Sequence, residues 1–419
     1  SVPRVLPDDH PLRPQPPPRP DLSATERVLQ ALGWVVRRPF EFLGTGTEGT
    51  AVWYEERQGG FAQGLSAVAG GPREPTYVSF MGGSIGTRSG FVGGGVRVHD
   101  PFPESRGLHY GVTAAATHRT YQEYTVYAGW NNPAEHPYLL VTGFYDVDTM
   151  DEFFGLGPDS DEDDESSFSW ERWGGRAIAG LPEMKTGIKG NVHAGWQKSF
   201  VFEGDAIDQP DAVEVFPDIR LPQHEIGSAG AAVGLDLRDA PGHPTRGVFL
   251  MGAADVYRST DDFDFEWLHW KAEAQAHLPL GSEWHILSFR ATAEEADPSE
   301  SDGVIPFEYL PTLGGSESLR GFDSWRWRDR AAVSGTVEFR YRIWQEHSPD
   351  PSTAGLFETA LFYDVGQVAP SLDDIDTGDL ERSYGVLLRM FVLDRHVAST
   401  GVGLGGDAPR FIFSTSGLW

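Results

Sequence analysis

The run Gly314-Gly315-Ser316-Glu317-Ser318-Leu319-Arg320-Gly321-Phe322 sets a guanidinium next to the least hindered residue and an aromatic ring. A guanidinium held away from bulk water must meet anions, and its planar fork suits carboxylates. Two acids follow in strand-like sequence: Glu338 in Gly335-Thr336-Val337-Glu338-Phe339-Arg340, and Asp364 in Phe362-Tyr363-Asp364-Val365-Gly366. Two readings compete. In one, Arg320 is a solvated charge on a surface turn. In the other, it is an internal latch that holds its loop against a wall of strands.

Other groups in the chain carry weaker chemistry. Gly82-Gly83-Ser84-Ile85-Gly86 matches the spacing of a nucleophile elbow. An elbow needs a helix immediately after it, and glycine-rich strand sequence follows instead, so no hydrolase and no enzyme is expected. Asp159, Asp161, Glu162, Asp163, Asp164 and Glu165 are dense in oxygen ligands but lack the EF-hand spacing with its central glycine. They read as a solvated loop, with bridging to lipopolysaccharide phosphates through divalent ions as the alternative. The thirteen histidines are scattered with no paired zinc spacing, so no metal and no cofactor is expected.

The elements that would position Arg320 are strands. Residues 1–22 form a Pro-rich tail. Ser23 and Glu26 have capping-box spacing ahead of Val28, Leu29, Leu32, Val35 and Val36, which predicts one helix ended by Pro39. That helix and the irregular segment to residue 75 are expected to act as a plug or as a cap on the periplasmic side. From residue 76 the period becomes two. Candidate strands fall at 76–85, 91–99, 108–118, 122–130, 137–147, 168–178, 186–202, 225–237, 246–258, 265–278, 284–296, 331–343, 355–367, 383–392, 397–404 and 410–419. In the tenth, Trp270, Ala272, Ala274, Ala276 and Leu278 share one face, and Lys271, Glu273, Gln275 and His277 the other. Such a polar row is costly against a dry core but not against a wet lumen. Short turns, such as Leu181-Pro182-Glu183 and Pro279-Leu280-Gly281, alternate with long acidic connections at 148–167, 203–224, 297–330 and 368–382. That asymmetry and an even strand number predict an all-β, 16-stranded transmembrane antiparallel barrel over 76–419.

Composition agrees with this reading. No run of about 18 apolar residues exists, yet a spanning strand needs only about 9–11 residues, half of them polar. The 13 Trp, 13 Tyr and 25 Phe can supply interfacial girdles. The absence of Cys fits export, and a leader, if there was one, has already been removed. A net charge of −29 argues against nucleic acid as a partner.

The ordered motifs resemble those of the BamA/TamA superfamily of outer-membrane barrels. Leu319-Arg320-Gly321-Phe322 resembles the family's Arg-Gly-aromatic motif in the sixth outer loop. Glu338 matches its acidic residue on strand twelve. Phe362-Tyr363-Asp364-Val365-Gly366 is similar to its Asp-x-Gly motif, and Ser383-Tyr384-Gly385-Val386-Leu387-Leu388-Arg389 to the strand that follows. Asp236-Leu237-Arg238-Asp239 with Pro244-Thr245-Arg246-Gly247 resembles its strand–turn–strand signature. The resemblance implies the latch: Arg320 pairs with Asp364 with Glu338 close by, Gly321 lets the backbone approach the wall, Phe322 packs beside it, and Gly366 completes the acid motif. It also implies a weak seam usable as a lateral gate, between a first strand carrying Gly82, Gly83 and Gly86 and a last strand whose Phe411, Phe413 and Trp419 resemble an assembly signal. The residues before the first strand show no periplasmic docking repeat (POTRA module).

The expected role is insertion, translocation or assembly at the outer membrane, as a barrel subunit of a larger complex. Outer-membrane lipid and lipopolysaccharide surround it, and a periplasmic or surface protein is a candidate partner. A passive porin-like channel and a structural anchor for a partner protein are the alternatives.

Overall fold

The computed structural model describes residues 77–81, 93–99, 108–117, 121–130 and 137–414, apart from short connecting stretches in the last range, the longest of them 346–354. The Pro-rich tail, the helix expected after Ser23, the segment to residue 75, and Gly82, Gly83, Ser84, Gly86 and Trp419 lie outside the described residues.

Sixteen strands pair antiparallel, each with its neighbour in sequence. They are β1 (Tyr77–Met81), β2 (Gly93–His99), β3 (Leu108–Thr117), β4 (Gln122–Trp130), β5 (Tyr138–Phe153), β6 (Ser166–Leu181), β7 (Ile188–Glu203), β8 (His224–Asp236), β9 (Gly247–Ser259), β10 (Glu266–Pro279), β11 (His285–Pro298), β12 (Ala331–Gln345), β13 (Gly355–Ala369), β14 (Glu381–Val392), β15 (Arg395–Leu404) and β16 (Arg410–Ser414). Every strand expected from alternation is present. One connection differs: β5 continues to Phe153 and β6 begins at Ser166, so the acidic loop is shorter than 148–167. A register shift between Asp148 and Asp151 breaks the period of two there and hides the strand end from a pattern reading.

The two faces of the sheet are reversed relative to a water-soluble protein. On β12, Glu338 is 0% exposed while Val337 and Phe339, its neighbours in sequence, are 39% and 36% exposed. On β13, Glu358 and Asp364 are fully buried while Leu361 and Tyr363 are open. Side chains alternate faces along a strand, so a slip of one residue would turn every acid of this wall outward. A surface whose apolar side chains are the exposed ones belongs in lipid, and the polar side chains belong in an enclosed lumen.

The connection between β11 and β12 crosses that lumen. It carries a short ribbon in which Thr312–Leu313 pairs with Trp327–Arg328. Its first part packs against the wall from β5 to β10. Phe307 lies 4.9 Å from Phe153 and 5.0 Å from Phe168, ring centre to ring centre. Tyr309 meets Trp267 at 5.2 Å, and Trp267 stacks on Tyr257 at 4.8 Å. Gln197 donates to the Tyr309 hydroxyl at 2.7 Å, and buried His224 and Glu308 stand 3.1 Å apart. This aromatic cap is the largest buried apolar cluster of the described residues.

Candidate functional site: a guanidinium clamp in the lumen

The second part of the same loop lies on β12–β14. Antiparallel register aligns two inward rows there: Thr336 with Asp364 and Ser383, and Glu338 with Phe362 and Gly385. Gly385 makes room for the Phe362 ring, because a Cβ at that position would lie 2.6 Å from the ring's Cζ. The ring in turn carries the Arg320 guanidinium, 3.9 Å above its centre.

The loop is braced before it reaches the wall. Gly315 N donates to Phe322 O at 3.2 Å, and Phe322 N donates to Leu319 O at 3.1 Å. Gly314 N donates to Ser318 Oγ at 2.9 Å. Leu319, Phe322 and Trp327 bury themselves with Leu313, Ala332 and Val368. Gly321 touches the wall directly: a Cβ there would meet the Leu404 carbonyl carbon at 2.5 Å. Gly366 is buried on the same wall, opposite Ser334 of β12.

Arg320 is 2% exposed. Its Nε donates to Asp364 Oδ2 at 2.9 Å and its Nη2 to Asp364 Oδ1 at 2.6 Å, the bidentate fork. Its backbone N donates to Asp364 Oδ2 at 3.2 Å, and its Nη1 donates to Glu338 Oε1. Thr336 and Ser383 hydroxyls donate to the remaining Asp364 positions at 3.0 and 3.1 Å. Burial alone would lower the Arg320 pKa, but Glu338 and Asp364 outweigh it and hold the guanidinium above its ordinary range.

Glu338 is shared. Arg340 Nε donates to it at 2.9 Å, and Arg389 donates through Nη1 at 2.8 Å and Nη2 at 2.6 Å. Arg389 Nη1 also lies 3.5 Å from Glu358 Oε1. Three buried guanidiniums (Arg320, Arg340, Arg389) thus face three buried carboxylates (Glu338, Glu358, Asp364). Matched charge is what makes such burial tolerable. The cluster holds the loop on the wall.

A model of the Omp85 superfamily domain matches residues 92–416. The chain belongs to the Omp85 superfamily. Its fold is similar to that of BamA from Haemophilus ducreyi lacking POTRA domains 1–3, with a TM-score of 0.58 at 12% identity over 82% of this chain and 70% of that one. CdiB from Escherichia coli gives a TM-score of 0.51 at 12% identity, over 82% of this chain and 61% of CdiB. No curated protein matches the chain. As an Omp85 barrel it is an outer-membrane protein, and the exposed apolar belt is its lipid face.

In this Omp85 barrel the structure brings together Arg320, Gly321, Phe322, Glu338, Asp364 and Gly366 on one wall. Phe411 and Phe413 stand apart from them on the lipid face of β16, 74% and 51% exposed. Between the two, Ile412 turns inward against Ala360, Phe362 and Leu387. Arg410 pairs with Asp323 of the loop, which ties the last strand to the clamp. Sequence reasoning did not single out Arg340, Glu358 or Arg389. The spacing Glu338-x-Arg340 was a usable signal, since residues two apart share a strand face.

Proposed function

We propose that this chain is a loop-closed outer-membrane barrel that inserts or translocates polypeptide or lipid-linked cargo, opening by movement of the 299–330 loop and of the wall it braces. The observation that carries the reading is the Arg320 clamp. A buried, charge-balanced cluster fixes a loop across the lumen, and the aromatic cap fixes the same loop to the opposite wall. A passive pore has no use for a lumen occupied in this way. In this reading the chain is no enzyme and needs no cofactor, and a periplasmic or surface protein delivers or receives the cargo. Outer-membrane lipid and lipopolysaccharide contact its apolar belt, and the seam between β16 and the first strand is the candidate exit. Affinity purification of the full chain from native outer membranes tests the reading. A stoichiometric exported or membrane-embedded client supports it; free permeation of small solutes through reconstituted protein, with no client, supports a channel instead.

A further inference from the structure

The turn joining β8 to β9, residues 237–246, does not hang free below the barrel. His243, Pro244 and Thr245 at its tip are buried. His243 is 3% exposed, and its Nε2 lies 2.9 Å from Glu358 Oε2 on β13, four strands from β9. Its Nδ1 is 3.5 Å from Arg342 Nη2 on β12, and its ring sits 4.3 Å from the Phe391 ring on β14. The root of the turn is fixed as well. Arg238 donates to Asp236 at 2.8 and 2.7 Å and to Gln275 of β10 at 2.9 Å. Asp239 rigidifies the turn itself by accepting from Thr245 N at 2.9 Å, Arg246 N at 3.2 Å and Ala240 N at 3.0 Å.

We propose that this turn is an inner strap, a second closure at the periplasmic mouth, with His243 as the positioning residue that pins it to the β12–β14 wall. The strap is wired to the outer clamp through side chains alone. His243 meets Glu358, Glu358 faces Arg389, and Arg389 shares Glu338 with Arg320. A partner or client that lifts the strap from below therefore removes a hydrogen-bond partner from Glu358, a carboxylate of the cluster that holds the outer loop. The geometry stands whatever the cargo is.

The test uses the full chain, which has no cysteine of its own. Ser288 on β11 faces the lumen, is 0% exposed and pairs in register with Glu338, so Ser288→Cys reports access at the level of the clamp. Folded protein in detergent micelles, checked by its heat-dependent gel shift, is labelled with a bulky maleimide. Losing a hydrogen bond to a charged group shifts an opening equilibrium by roughly ten- to a hundredfold. Labelling should therefore accelerate at least about tenfold in His243→Ala. It should accelerate likewise in Asp239→Asn, which loosens the turn without touching the wall, and stay near the parent rate in His243→Gln, which can still reach Glu358. Equal labelling rates in the parent and in whichever of His243→Ala and Asp239→Asn folds would overturn the strap. So would acceleration by His243→Gln as large as that by His243→Ala.

Discussion

Replacing Arg320 by Ala removes three side-chain donors from two fully buried carboxylates. It leaves Asp364 with Thr336 Oγ1, Ser383 Oγ and one backbone N–H, and Glu338 with Arg340 and Arg389. The cluster goes from three cations against three anions to two against three. Breaking a buried pair by deleting one partner costs about 3–5 kcal/mol, and that is the loss expected for Arg320→Ala. Asp364→Ala should cost a similar amount, because it empties the bidentate fork and leaves Arg320 with Glu338 as its only carboxylate partner. The double variant restores the charge balance, so it should be less unstable than the sum of the singles by about 2–3 kcal/mol. Arg320→Lys should fall between parent and Ala, since a point charge cannot fill the bidentate site. Urea unfolding of the refolded protein in micelles, followed by tryptophan fluorescence, reads all four. Additive singles, within about 0.5 kcal/mol, would show that Arg320 and Asp364 do not act as a unit.

Three further outcomes follow from the same contacts. Gly321→Ala puts a Cβ into the Leu404 backbone, so the 299–330 loop should lift and be clipped by added protease faster than in the parent. Phe307→Ala removes the ring at the centre of the aromatic cap and should cost about 3–5 kcal/mol in the urea assay, with the clamp contacts intact. Asp239 gives a pH dependence. Partial burial pushes its carboxyl up, but the donors from Thr245, Arg246 and Ala240 outweigh burial and hold it below the usual range. Its contribution to turn order is then fully present above the ordinary aspartate pKa of about 4 and lost as pH falls through the lower folded value. The protection of the Thr245 amide against hydrogen exchange, taken relative to its intrinsic rate at each pH, should therefore fall on acidification, and Asp239→Asn should flatten that response.

The sixteen strands were legible where side chains keep a period of two and where a polar inward row forces a wet interior. β10 is the plainest case, with Lys271, Glu273, Gln275 and His277 on one face. The end of β5 was not legible, because a bulge and an acidic run erase the alternation that marks a strand. Arg320, Glu338 and Asp364 could be grouped because motif order supplied the strand numbers, and strand numbers supplied adjacency. His243 could not be grouped with Glu358. They are 115 residues apart, and only the curl of the sheet brings them together. The cap was hidden for a related reason: Phe307 and Tyr309 sit in an irregular loop, where no period says which way a ring points.

The central claim is that the loop between β11 and β12 closes the lumen because Arg320 holds it there. Single-channel recording of the full chain in planar bilayers tests it most directly. The parent should be nearly silent, and Arg320→Ala combined with Phe307→Ala should show long open events. A parent that carries a large, steady current, unchanged in the double variant, would contradict the account.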